Sequence, residues 1–191
     1  MNNLKLSIMK ILITVLAILA LTQNYDIVCS VGRPYQLTLD YKINDKEELV
    51  NTIYPDVNMV IDSRDGYIAQ VIKRTGTWSP ESIFTFGRLV NEGDTLLNVG
   101  SHIGIETIVF AKKAGGNAKI YFFEPYIITR NILIKNIYVN DLQDRATVYP
   151  YAASNKKMKA YLMVNIKNTG GSVVETEESL KKFKGPKDEK R

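Results

Sequence analysis

The stretch Asp94-Thr95-Leu96-Leu97-Asn98-Val99-Gly100-Ser101-His102-Ile103-Gly104 decides the fold. The short apolar run Thr95–Val99 reads as a buried strand. Gly100 then lets the chain turn sharply and lets a ligand lie against bare backbone. Gly104 opens a helix and permits it to approach the strand closely, and amides at a helix start favour electron-rich ligand groups. Working outward, the pattern predicts a helix over 104–114 ended by Gly115-Gly116, a second strand over 119–123, a second helix over 127–139 and a third strand over 146–151. Strand and helix alternating in this way predict an α/β fold: the first half of a doubly wound, Rossmann-like parallel sheet with right-handed crossovers.

The second strand ends in Glu124, twenty-four residues beyond Gly100. In nucleotide-type sites an acid at this place accepts hydrogen bonds from ribose hydroxyls. The dinucleotide fingerprint G-x-G-x-x-G lacks its middle glycine, because position 102 is histidine. That argues against a pyrophosphate, which needs the room a second glycine gives. A Walker loop is absent too. The remaining cofactor that uses this geometry without a pyrophosphate is S-adenosylmethionine. The plainer reading of the same residues is an ordinary βαβ turn with a surface glutamate.

A longer set of residues carries a resemblance. Gly76-Thr77-Trp78-Ser79-Pro80, Glu92-Gly93-Asp94, then Leu97 to Thr107, Phe123-Glu124-Pro125, and Asn136 with Asn140 stand in an order and spacing similar to the FkbM family. Asn168-Thr169-Gly170-Gly171-Ser172 resembles that family's loop after the third strand. The resemblance spans roughly residues 76–173, about half the chain. It implies a class I, S-adenosylmethionine-dependent methyltransferase fold acting on hydroxyl acceptors of the sugar or natural-product class. It also implies that Gly100, Ser101, His102 and Gly104 wrap the methionine end of the cofactor through backbone contacts. Glu124 would bind the ribose, Pro125 would shape the exit from the second strand, and Ala152 would lie near the adenine edge. His102 reads either as a general base or as a loop filler, and no catalytic residue is assigned. The family usually has aspartate where Asn98 stands, which weakens one contact with the cationic end of the cofactor. It also continues into a fourth strand with an I-K-I-D-x-E-G motif that is not found before Arg191. The expectation is that the flank of the first strand is an open edge, and an inactive remnant of such an enzyme is the competing reading.

The flanking segments are read from charge and periodicity. The whole chain has 191 residues, 45% apolar and 24% charged, with a formal charge of +5. Residues 1–10 hold +2, residues 180–191 hold +4, and residues 11–179 sum to −1. The body is therefore not basic, and no nucleic-acid partner is expected. One cysteine, Cys29, and one histidine exclude an internal disulfide and a multi-histidine metal site. The apolar run 11–21 after Lys5 and Lys10 reads as a signal-like or membrane-associated segment within residues 1–30. Export sits in conflict with a cytoplasmic cofactor, and an exported non-enzymatic binding module is a further alternative. Residues 31–75 read as a strand-rich extension: strands over 34–43, 57–61 and 67–73, with a short helix over 46–53 stopped by Pro55. Ser79 as cap, Pro80 and Glu81 start a helix running to about Asn91. The methyltransferase-like part spans 76–175, with one more strand near 159–164 and no apolar strand after it. A basic polar tail covers 176–191.

Overall fold

The computed structural model describes residues 11–13 and 43–182. Residues 1–10, residues 14–42 with Cys29 and the alternating stretch, and the lysine-rich end 183–191 lie outside the described residues. In chain order the elements are β1 (Ile11–Ile13), β2 (Glu47–Asn51), β3 (Asn58–Asp62), α1 (Ile68–Thr75), α2 (Pro80–Gly87), β4 (Thr95–Val99), α3 (Ile105–Lys113), β5 (Lys119–Phe123), α4 (Ile127–Val139), β6 (Ala146–Tyr149), β7 (Ala160–Met163), a 3-10 turn (Thr169–Gly171), β8 (Val173–Thr176) and α5 (Glu177–Lys182).

The fold is mixed α/β, with a parallel sheet ordered β1-β4-β5-β6 and helices against it, an arrangement compatible with a Rossmann-like fold. Strands buried on both sides carry continuous apolar side chains, and Ile120, Phe122, Val148 and Leu96 all lie inside. The third strand ends at Tyr149, two residues earlier than the pattern predicts, because Pro150 has no amide to donate to the ladder. The flank of β4 is paired rather than open. Ile11, Leu12 and Ile13 lie parallel to Leu97, Asn98 and Val99. Three residues of the apolar run 11–21 are thus sheet, and among the described residues no helix is long and apolar enough to cross a membrane.

Two expectations in the segment before Trp78 are overturned. Residues 47–51 are a strand rather than a helix, paired antiparallel with β3. Partnering outweighs local propensity here, for Glu47 reaches Lys135 on α4 in a buried ion pair of 2.5 Å, and Val50 rests on the core. Residues 68–75 are a helix rather than a strand. Asp65 starts it by accepting the amides of Tyr67 and Ile68 at 2.9 and 2.8 Å, and the buried residues Ile68, Ala69 and Ile72 follow a helical spacing. Gly76, at φ +70°, closes it by donating its N–H to the Ile72 carbonyl in a hydrogen bond. Downstream, Pro80 stands at the first position of α2 as expected, but Ser79 makes no side-chain cap and the helix stops at Gly87. Val173–Thr176 is a strand the sequence reading lacks. It pairs with β7 as a separate antiparallel hairpin.

The β2–β3 hairpin shares one buried core with the sheet, through Val57, Met59, Val60 and Ile61 beside Ile103, Leu133 and Ile137. Two asparagines on α4 fasten it. Asn136 Oδ1 accepts the Val60 amide at 2.5 Å, while its Nδ2 donates to the carbonyls of Val60 and Ile103 at 3.1 and 2.9 Å. One turn on, Asn140 does the same for Asn58, at 3.0 and 2.7 Å. Side-chain amides thus take the place of a neighbouring strand along β3, and every buried polar atom they meet is paired.

Candidate functional site

A cleft of about 840 Å³ opens at the carboxyl ends of β4 and β5, where open α/β sheets bind ligands. Asn98, Gly100, Ser101, His102, Gly104, Glu124, Pro125 and Ala152 all line it. Tyr67, Trp78, Glu106, Leu162, Glu175 and the loop 168–174 complete its walls. Tyr67 and Trp78 meet edge to face at 5.7 Å.

The glycine loop is held from inside. The amides of Gly100 and Ser101 both donate to the Phe123 carbonyl, at 2.9 and 3.0 Å, and the Gly104 amide donates to Ser101. The Ser101 hydroxyl bridges the carbonyls of Asn98 and Phe123 and accepts the Phe123 amide. The amides of Gly100, Ser101 and Gly104 are thus engaged within the fold. The donors left for a ligand are the first-turn amides of α3, which no helix pairs internally. Gly100 sits at φ +75° with open space where a Cβ would stand. Gly104, at φ +87°, is required for a different contact from the one expected: a Cβ there would lie 2.5 Å from Leu133 Cδ1 on α4.

His102 is left-handed, at φ +51°, a costly conformation for a branched-ring side chain. Glu124 anchors it. One carboxylate oxygen accepts the His102 amide at 2.7 Å, and the other accepts the Tyr126 amide and the Thr129 hydroxyl at 2.9 and 3.0 Å. Three of the roughly four acceptor positions of a carboxylate are therefore used. Burial raises the Glu124 pKa, against the lowering effect of those bonds and of Arg130. Glu124 thus locks the loop to α4, a structural duty the sequence pattern does not reveal. Burial pushes the His102 ring down to about 4, opposed by the nearby Asp65 charge, so the ring is neutral at pH 7.

Two residues of the cleft lining carry a buried acceptor oxygen with no partner. Asn98 is buried on β4; its Nδ2 donates to the Thr107 hydroxyl, and its Oδ1 meets nothing. Glu106, the neighbour of Thr107, has an unpaired buried Oε1, and burial pushes its pKa up to about 7. Buried acceptors are normally paired, so two such atoms directly behind one cleft wall mark a place where polar capacity is left over. The sequence reading gave Glu106 no role. Its signal was a lone charge in the apolar run Ile103 to Ala111. Among the described residues no cluster of histidine, cysteine, aspartate and glutamate is placed to hold a metal.

No family model matches the chain, and no curated protein does. Among solved structures the chain is similar to a protein of Pyrococcus horikoshii, provisionally named a transferase, at 16% identity with a TM-score of 0.43. The match covers 56% of this chain and 36% of that one, so this chain spans about a third of that protein's length. A likeness so loose carries no argument about chemistry.

Proposed function

We propose that the cleft binds S-adenosylmethionine and that the protein is a methyltransferase of the FkbM type, with a hydroxyl-bearing small molecule or glycan as acceptor. One observation carries the reading: the eight residues selected from sequence converge on a single cleft whose lining residues also carry two unpaired acceptors.

The residues present fit the group. The cofactor is a cation with an amino-acid end and a nucleoside end. Asn98 Oδ1 and Glu106 Oε1 would receive its ammonium donors, and Glu106 ionises as that positive charge arrives. This supplies from α3 the charge that position 98 lacks. The open backbone at Gly100 gives the methionine end room. Tyr67 and Trp78 offer aromatic faces toward a cation, and Glu124 retains one acceptor position for a ribose hydroxyl. When bound, the cofactor supplies an electrophilic methyl group. The protein's own share is alignment: the locked loop, the fixed His102 ring and the 168–172 turn hold groups in place without moving, which is where most of the advantage of such transfers comes from.

Thermal shift separates the reading from its rivals. S-adenosylmethionine and its demethylated thioether product should both raise Tm at millimolar concentration, whereas NAD should not. Stabilisation by NAD alone, or by none of the three, would overturn it.

A further inference from the structure

Beside the cleft lies a second cavity of about 350 Å³. It shares His102, Ile103, Tyr126 and Thr169 with the cleft, so these residues form the partition between the two. Its other apolar walls are Ala69, Ile128, Ile132 and Ile166, with Thr129 and Lys167 between them. The polar groups at its edge are mostly engaged. Asp62 and Arg64 bind each other at 2.5 Å, and Asp65 Oδ1 holds the start of α1.

A hydrogen-bond chain runs through the partition. The Thr169 hydroxyl donates to Asp65 Oδ2 at 2.5 Å, and His102 Nε2 lies 2.6 Å from the same hydroxyl oxygen. Gly170 lets the turn lie close to α1: a Cβ there would meet the Ile68 Cδ1 methyl, which would have to move aside. A carboxylate only accepts, so Thr169 gives its single proton to Asp65 and its oxygen must receive one from Nε2. The order of donors therefore sets the tautomer: the proton sits on Nε2, and Nδ1 carries a bare lone pair. Among the described residues none donates to Nδ1. The ring is neutral at pH 7, as such an acceptor must be.

We propose that the second cavity binds the acceptor molecule, a small compound with an apolar body and a hydroxyl rather than a sugar, and that His102 Nδ1 accepts that hydroxyl's hydrogen bond. Calling the ligand an acceptor rests on the methyl-transfer reading; its binding here does not. A sugar would press several hydroxyls against isoleucine side chains and leave them unpaired, at a cost for each. An alkyl or aryl body loses nothing there, and a single hydroxyl finds a single bare nitrogen.

His102 is the only histidine in the chain, so its ring nitrogens give unambiguous NMR signals. The test uses nitrogen-15-labelled protein titrated with straight-chain primary alcohols from butanol to octanol, and with methyl glucoside. The free protein should show Nε2 protonated and Nδ1 bare. The alcohols should move the Nδ1 signal saturably, with affinity rising about fourfold per added methylene, and the glucoside should not. Ile128→Glu should weaken octanol at least tenfold while leaving the thermal shift by S-adenosylmethionine unchanged. Ile166→Glu, at a side chain 73% exposed, should do the same and cannot easily disturb folding. A proton on Nδ1, an equal response to the glucoside, or alcohol binding indifferent to both variants would overturn the proposal. If the alcohols bind as described while S-adenosylmethionine does not, the methyl-transfer reading fails and the cavity assignment survives.

Discussion

Asn136 and Asn98 are the same residue type, both buried, on opposite sides of the glycine loop. Asn136 on α4 uses its carbonyl and amide groups on Val60 and Ile103. Asn98 on β4 uses only its amide, on Thr107, and leaves its carbonyl oxygen buried and unpaired behind the cleft lining. The first holds the scaffold together. The second keeps polar capacity in reserve, which is the mark of a surface prepared for a ligand rather than for folding.

The largest effect that could break this comparison is at Asn136. Asn136→Ala strands the Val60 amide and the Val60 and Ile103 carbonyls, and should cost on the order of 4 kcal/mol; urea unfolding reads it directly. A loss below about 1 kcal/mol would mean the asparagine is no scaffold member. Next comes Gly104→Ala, where a left-handed backbone and the Leu133 contact together should cost roughly 3 kcal/mol. Gly100→Ala has open space, so it should lose only about 1 kcal/mol, from backbone strain alone.

Glu106 should behave in the opposite sense. Its folded pKa, about 7, stands above the ordinary carboxylate value, so the stability it contributes is present below the usual carboxylate range and is lost as pH rises through about 7. Glu106→Gln should therefore stabilise the free protein by roughly 1–2 kcal/mol at pH 8 and by almost nothing at pH 4, while weakening the binding of a cationic ligand. An unchanged pH profile of Tm would remove Glu106 from the ligand-facing side of the comparison. His102 slopes the other way. Its folded pKa is depressed to about 4, so its contribution is present above about 6.5 and is lost as pH falls through 4. At the small end stands the exposed Lys73–Glu48 pair, 2.6 Å apart, where Lys73→Ala should change stability by less than about 0.5 kcal/mol.

The alternating part of the fold was readable because its elements are apolar runs set off by breakers: glycines around β4 and before β5, Pro125 before α4 and Asn140-Asp141 after it. The β2–β3–α1 segment was not. Glu47 looks like a helix opener until Lys135, far along the chain, is brought beside it, and the alternation of Tyr67, Ala69 and Val71 masks the helical spacing of Ile68 with Ile72. The site residues of the glycine loop were visible as glycines with a downstream acid. What the pattern could not show is that Glu124 holds the loop together, or that Glu106 is the acid left unpaired. Both depend on which hydrogen bonds remain after the backbone has settled its own. The Asp65–Thr169–His102 chain joins residues 104 positions apart and has no local signature.

The most direct measurement is a calorimetric titration of the intact chain with S-adenosylmethionine at two pH values, in buffers of different ionisation enthalpy. Saturable one-to-one binding is the result expected when the ammonium meets Glu106 in this cleft, with about one proton released at pH 6, where Glu106 ionises. At pH 8.5 a proton should instead be taken up, because the free ligand's amine must charge. Absence of heat at millimolar cofactor in both buffers would contradict the central claim.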